Sequence, residues 1–255
     1  MGEDAVLTEV RDEVLLVTLN RPEQRNAVNR AVAEGIAAAL DRLDAEEALR
    51  VGVLTGAGRG FCAGMDLKAF VAGEPVSVEG RGFAGIVQRA AAKPLIAAVE
   101  GFAVAGGFEI ALTCDLIVAA RGTRFGVPEV KRGLVAAGGA LLRLPRRIPY
   151  HLAMELALTG DFVDAERAHE VGLVSRLVEP GASVEAALEL ARTIAANGPL
   201  ALAASKRILV EAPSWPAEET WERQAEISDP VRASADAREG SLAFAEKRAP
   251  RWQGR

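Results

Sequence analysis

Four short aliphatic runs, VLLVTL (14–19), VGVLT (51–55), LIAAV (95–99) and LIVA (116–119), constrain what this chain can fold into more than any other feature. Each is long enough for a strand, and none alternates with polar residues, so each must be buried on both faces. The text between them has helical periodicity. Val32, Ile36, Leu40 and Leu43 fall on one helical face, and helices are also expected near residues 83–91 and from about Gly107. Strands alternating with helices predict a mostly parallel sheet covered by helices, that is, an α/β fold. VLTEV (6–10) and a short charged turn before the first run suggest a hairpin.

From about Leu141 the pattern changes. HLAMELALTG (151–160), EAALELARTIAA (185–196), PLALAASKRILVEA (199–212) and residues 218–227 read as helices, and only 173–178 reads as a strand. An α/β core over 1–195 followed by a helical region over 196–255 is therefore expected. The Gly/Pro-interrupted stretch 71–80 is a loop, either a plain surface loop or a gate beside the glycine-rich turn that precedes it.

Half of the residues are hydrophobic and a quarter charged, the mix of an ordinary globular protein. The net charge of −5, with Lys and Arg scattered outside the tail from 247 to 255, argues against a nucleic-acid binder. Cys62 and Cys114 stand apart in apolar surroundings, so neither a disulfide framework nor a metal site is indicated. The opening MGEDAVLTEVRDE carries acid where a signal peptide carries base, and no apolar stretch reaches membrane-spanning length; a cytoplasmic location is expected.

Two glycine-rich segments follow strands, where α/β proteins place ligands. In TGAGRGFCAGMD (55–66), Gly58, Gly60 and Ala63 fit a dinucleotide-binding spacing with Glu79 further on. Gly73, Pro75, Gly80 and Gly82 then break the regular helix and strand that such a unit needs. In AGGFE (105–109), glycines at a helix start leave N–H groups open to an oxygen gaining negative charge. Glu109 lies three residues beyond Gly106, on the same helical face. Read alone, Glu109 is a solvated acid stabilised by the helix dipole or a catalytic group, with apolar neighbours that raise its pKa. Glu129 follows Pro128 and, alone, is a loop acid. His169-Glu170 lacks the second histidine of a zinc-protease helix, and no G-x-S-x-G or phosphate-binding G-x-x-x-x-G-K-[ST] segment is present.

Five segments in order carry a resemblance: NRPEQRNAV (20–28), GRGFCAGMDL (58–67), KPLIAAVEGFAVAGGFEIALTCD (93–115), FGVPEVKRGLVAAGGALLRLPR (125–146) and ALTGDFVDAERAHEVGLVSRLV (157–178). Together they resemble the enoyl-CoA hydratase/isomerase, or crotonase, superfamily over nearly the whole chain. The resemblance implies a ββα spiral core and a helical C-terminal region for trimerisation and active-site cover. It implies an oxyanion hole of the Met65 and Gly106 amides, with Glu109 and Glu129 as the acid/base pair. Met65 departs from the family, which often has a small residue there, but only its amide is required. Arg25, Ala27, Ala63, Met65, Asp66 and Leu67, with Gly106, match positions lining the CoA site, and Arg25 suits phosphate.

The reaction implied is addition of water across the 2,3 double bond of an enoyl-CoA thioester, or its reverse, in lipid metabolism. No metal or redox cofactor is implied, CoA being part of the substrate. The chain is expected to be a homotrimer or a dimer of trimers. Isomerases and other acyl-CoA lyases and hydrolases share this hole, and some relatives bind RNA without catalysis, so fold alone does not fix the reaction.

Overall fold

The computed structural model describes residues 4–255; the first three residues of the acidic opening segment lie outside them. Strands β1 (Val6–Arg11) and β2 (Val14–Leu19) form the expected hairpin, in register from Val6 against Leu19 to Arg11 against Val14. Asn29 caps α1 (Arg30–Ala45) by accepting from the Val32 amide, and the helix returns to β3 (Val51–Gly56). Asp66 caps α2 (Leu67–Val71), after which β4 (Ser77–Val78) and β5 (Gly82–Phe83) make a small hairpin. The chain continues through β6 (Leu95–Val99), β7 (Phe102–Val104), α3 (Gly106–Thr113), β8 (Leu116–Ala120) and β9 (Arg124–Gly126). Then come α4 (Ala140–Arg143), α5 (Tyr150–Thr159), β10 (Val163–Asp164), α6 (Ala165–Glu170) and β11 (Arg176–Val178). Four helices close the chain: α7 (Ser183–Ala195), α8 (Pro199–Glu211), α9 (Thr220–Arg232) and α10 (Ala235–Glu246).

The main sheet has the order β1-β2-β3-β6-β8-β11, and every pair beyond the first hairpin is parallel. Alternate side chains of one strand enter different cores, which is why these runs carry no polar alternation. Val14, Leu16, Val51, Val53, Ile96 and Ala98 pack under α7, against Ala187, Leu188 and Ala191. Leu15, Val17, Leu19, Leu54, Ala97 and Val99 face the other way, into the larger core that holds α1 and α3. A second sheet, β10-β9-β7, stands beyond the ends of β6 and β8 and carries the turns that lead to the site.

Two expectations fail locally. Residues 83–91 are not a helix: Ala84 and Gly85 both take left-handed backbone, φ 55° and 69°, which ends any helical run. Gly85 is needed there, because a Cβ would stand 2.3 Å from the Ala33 carbonyl oxygen of α1. The strand expected over 173–178 is only Arg176–Val178, because the amides of Leu173 and Val174 instead donate to Ala168 O and close α6.

Candidate active site

The first segment of the site follows β3 and is held in place by Asn26. This residue is fully buried in left-handed backbone, φ 55°, and its side-chain amide donates to Ala57 O and Gly60 O at 2.9 and 2.8 Å. Its Oδ1 accepts from the Arg21 amide at 2.9 Å, so one side chain locks the 21–26 turn to the 57–65 segment. Met65 then bridges Val28 in parallel register. The Val28 amide donates to Gly64 O, and the Asp66 amide donates to Val28 O. In a parallel ladder the intervening residue turns its own polar groups to the other side, so the Met65 N–H points away from Val28. Among the described residues it donates to no carbonyl.

The second segment begins at Ala105, whose φ of 50° and ψ of −131° lie in a region that non-glycine residues rarely enter. That conformation starts α3 abruptly at Gly106, whose amide has no intrahelical acceptor and, among the described residues, no other carbonyl partner. The two segments touch: a Cβ on Gly64 (φ 93°) would stand 2.9 Å from Gly106 N. A Cβ on Gly107 would stand 2.1 Å from Cys62 O, so both glycines are required by close approach. On the other side of Gly106 lies the Phe83 ring, 2.6 Å from where a Cβ would be. Two unbonded amides, Met65 and Gly106, thus lie on adjoining segments beneath an aromatic wall.

Glu109, one turn into α3, is only 4% exposed. Its Oε1 accepts from the Ala140 amide at 3.2 Å, and Gly138 lies so close that a Cβ there would meet Oε2. Burial pushes its pKa up to about 7; the Ala140 amide, the Gly138 amide and Arg143 oppose the rise, and the charge of Glu129 adds to it. The helix dipole is therefore not the main influence on this acid. Glu129 sits on the 3₁₀ turn Pro128–Arg132 after β9 and is half-buried. Its Oε2 is buried with no hydrogen-bond partner, and burial raises its pKa against the opposing pull of its own amide and of Arg132. Two carboxylates from different elements, each with its pKa raised by burial, are the groups of this site suited to proton transfer.

An open groove of about 830 Å³ runs along the outside of the first segment, lined by Arg25, Ala27, Met65, Asp66, Leu67 and Lys68 among others. Arg25 is exposed, in left-handed backbone, φ 53°. Ala63 lies behind this wall, with its amide donating to Arg25 O at 3.0 Å. Asp66 lines the groove, but its carboxylate is committed to the scaffold. It accepts from the Lys68 and Ala69 amides and pairs with Arg21 at 3.0 Å. Burial opposes its ionisation, but the hydrogen bonds from Arg21 and these amides outweigh it and hold the pKa below the usual value.

Sequence reasoning missed Asn26, Phe83, Gly138 and Arg143. Asn26 stands inside the NRPEQRNAV motif and could have been found as the residue type there that best tolerates left-handed backbone. The other three carry no local pattern. Burial pushes the Cys62 thiol up to about 12, so it is no thiolate nucleophile at neutral pH. His169 Nδ1 lies 2.8 Å from Val174 O, on the closing turn of α6 and apart from the site segments. Among the described residues no three His, Cys, Asp or Glu side chains gather into a metal-binding group.

The sequence profile of the enoyl-CoA hydratase/isomerase family matches residues 9–255. The chain is 44% identical to the enoyl-CoA hydratase EchA19 of Mycobacterium tuberculosis, over 100% of this chain and 98% of that protein. It is 39% identical to a carnitinyl-CoA dehydratase of Proteus mirabilis, over the whole of both chains. The crystal structure of the enoyl-CoA hydratase EchA1 from Mycobacterium marinum superimposes with a TM-score of 0.98 at 61% identity, covering 99% of this chain and 100% of that one.

Proposed function

The chain belongs to the enoyl-CoA hydratase/isomerase family, and on that premise we propose that it adds water across the 2,3 double bond of an enoyl-CoA thioester, or removes it in reverse. The observation that carries the reading is the pairing of two unbonded amides with two carboxylates of raised pKa on separate elements. The Met65 and Gly106 amides receive the thioester oxygen as it gains negative charge. Glu109, oriented by the Ala140 amide, takes a proton from water as the oxygen bonds to C3. Glu129, whose buried Oε2 has no hydrogen-bond partner within the protein, delivers the proton to C2. The same steps run backwards dehydrate a 3-hydroxyacyl thioester. Amides handle the charge and carboxylates the protons, so the scheme draws on no metal or redox cofactor.

The 830 Å³ groove receives the CoA portion, with Arg25 toward phosphate. Such a reaction fits fatty-acid metabolism. The assembly is a homotrimer or a dimer of trimers, supported by apolar side chains left open on the C-terminal helices, Leu209, Trp221 and Phe244 among them. An isomerase needs one carboxylate to shuttle a proton, whereas hydration needs two. Glu109→Gln and Glu129→Gln are each expected to lower kcat by at least about 10²-fold with KM little changed. Loss of enone absorbance on a panel of enoyl-CoA thioesters measures this. Full hydration by Glu129→Gln would remove Glu129 from the mechanism, and a wild type that shifts a 3-enoyl thioester to the 2-enoyl form without hydrating it would hand the assignment to a one-carboxylate isomerase.

A further inference from the structure

Arg143 ends α4 behind the turn that clasps Glu109. Its Nη1 donates to Gly138 O at 3.2 Å and its Nη2 to Val87 O at 2.5 Å. Gly138 and Ala140 are the residues against the Glu109 carboxylate, and Val87 belongs to the turn that follows Phe83, whose ring covers Gly106. Gly139, in left-handed backbone with φ 103°, leaves room for this guanidinium, since a Cβ there would stand 2.1 Å from Nη1. One planar, forked donor therefore ties together two segments that are remote in sequence, the clasp of Glu109 and the turn that follows Phe83.

The guanidinium is also unusual in its charge. Among the described residues no carboxylate lies within ion-pair distance of it, although a partly buried cation is normally paired. Burial works against its charge, Arg147 repels it, and Glu109 and the Cys114 thiol are the titratable groups that favour it. Facing Glu109 itself are Glu129 from the 3₁₀ turn, Arg143 from α4 and the two amides of the clasp. A cation retained without an ion-pair partner, tied by hydrogen bonds to the clasp of the catalytic acid, has a use beyond packing.

We infer that Arg143 is a positioning residue, which holds the Gly138–Ala140 clasp of Glu109 and the Phe83 wall over the Gly106 amide in register with one another. The inference rests on Glu109 being a catalytic acid/base. Replacing the fork loosens both segments and removes a cation that favours the ionised form of Glu109.

The test compares Arg143→Met and Arg143→Lys with wild type, using but-2-enoyl-CoA hydration and the ¹³C titration of labelled glutamate, with Glu109 assigned by its loss in Glu109→Gln. Arg143→Met is expected to lower kcat about 10- to 100-fold, with KM changing less than about threefold. The Glu109 titration should move up by roughly half a unit to one unit. Lysine keeps the charge but cannot span both carbonyls, so Arg143→Lys should titrate as wild type while losing about tenfold in kcat. If Arg143→Met fails to fold, Arg143→Lys decides by its kcat. A folded Arg143→Met with wild-type kcat and titration, or an Arg143→Lys with wild-type kcat, overturns the inference. Full activity in Glu109→Gln instead overturns the role of Glu109, and the titration, read without turnover, keeps the two failures apart.

Discussion

The start of α3 and the 3₁₀ turn after β9 each carry a glutamate of the candidate pair, and they treat it differently. All eight residues of α3 are buried, and Glu109 is clasped by the Ala140 amide with Gly138 pressed against its other oxygen. Around Glu129 the turn is largely exposed, only Pro128 is buried, and one carboxylate oxygen has no partner. The first region fixes an ionisable group in the core at a cost to stability. The second leaves a buried carboxylate oxygen without a hydrogen-bond partner. The pair teaches that two acids of one candidate site need not be built alike: one is oriented by the fold, the other keeps an oxygen free of protein partners.

The largest effect that would break this contrast is thermodynamic. Glu109 ionises in the unfolded chain near its ordinary value of 4.5 and in the folded chain at about 7, so the folded state holds the extra proton between these values. Stability should therefore fall as pH rises through that window, with the full penalty present above about pH 7. A shift of that size corresponds to roughly 3 kcal/mol. Glutamine has no charge to bury, so Glu109→Gln should be more stable than wild type by up to about that amount at pH 8. The difference should shrink toward zero near pH 4. Denaturant unfolding at fixed protein concentration checks it, and a gap independent of pH would mean that burial of Glu109 costs nothing.

A smaller effect sharpens the geometric half of the contrast. Gly138→Ala puts a methyl group where the Glu109 carboxylate lies, so the acid must shift. A displacement of this kind is expected to lower kcat by about 10- to 100-fold. Val130→Ala, on the exposed side of the other turn, should stay within about twofold of wild type. Equal losses in the two variants would show that both acids are held by packing. The smallest effect concerns the strain that starts α3. Ala105→Gly relieves about 1–3 kcal/mol of backbone strain and gives back roughly 0.5–1 kcal/mol in chain entropy. A net gain on the order of 1 kcal/mol in unfolding free energy is expected, with kcat close to wild type. A destabilised Ala105→Gly would mean that the Ala105 conformation carries no strain.

How much of this was legible before any coordinates depends on the range over which each feature is determined. The doubly buried strands, the helical end and the glycines at 106 and 107 are marked by neighbours within a few residues, whereas Glu109 and Glu129 were paired only by the resemblance of five segments taken together. Periodicity and backbone freedom are local properties, and they appear in the sequence as apolar runs and glycine clusters. Where a turn is set by contact with a distant element, local reasoning failed: residues 83–91 have helical composition, but the close approach of Gly85 to α1 forces left-handed backbone instead. The short strands β7, β9 and β10 were invisible for the same reason, since runs of two or three residues pair only because the main sheet brings them together.

The sequence by itself determined the fold class, the family and the chemical types at the site. It could not determine that Glu109 is clasped by Gly138 and Ala140, that Glu129 keeps an unsatisfied oxygen, or that Arg143 joins the clasp to the Phe83 wall. Those are contacts between residues some 30 to 56 positions apart. Burial, hydrogen-bond satisfaction and pKa are properties of what surrounds a group in space, and only the packed tertiary structure supplies those surroundings.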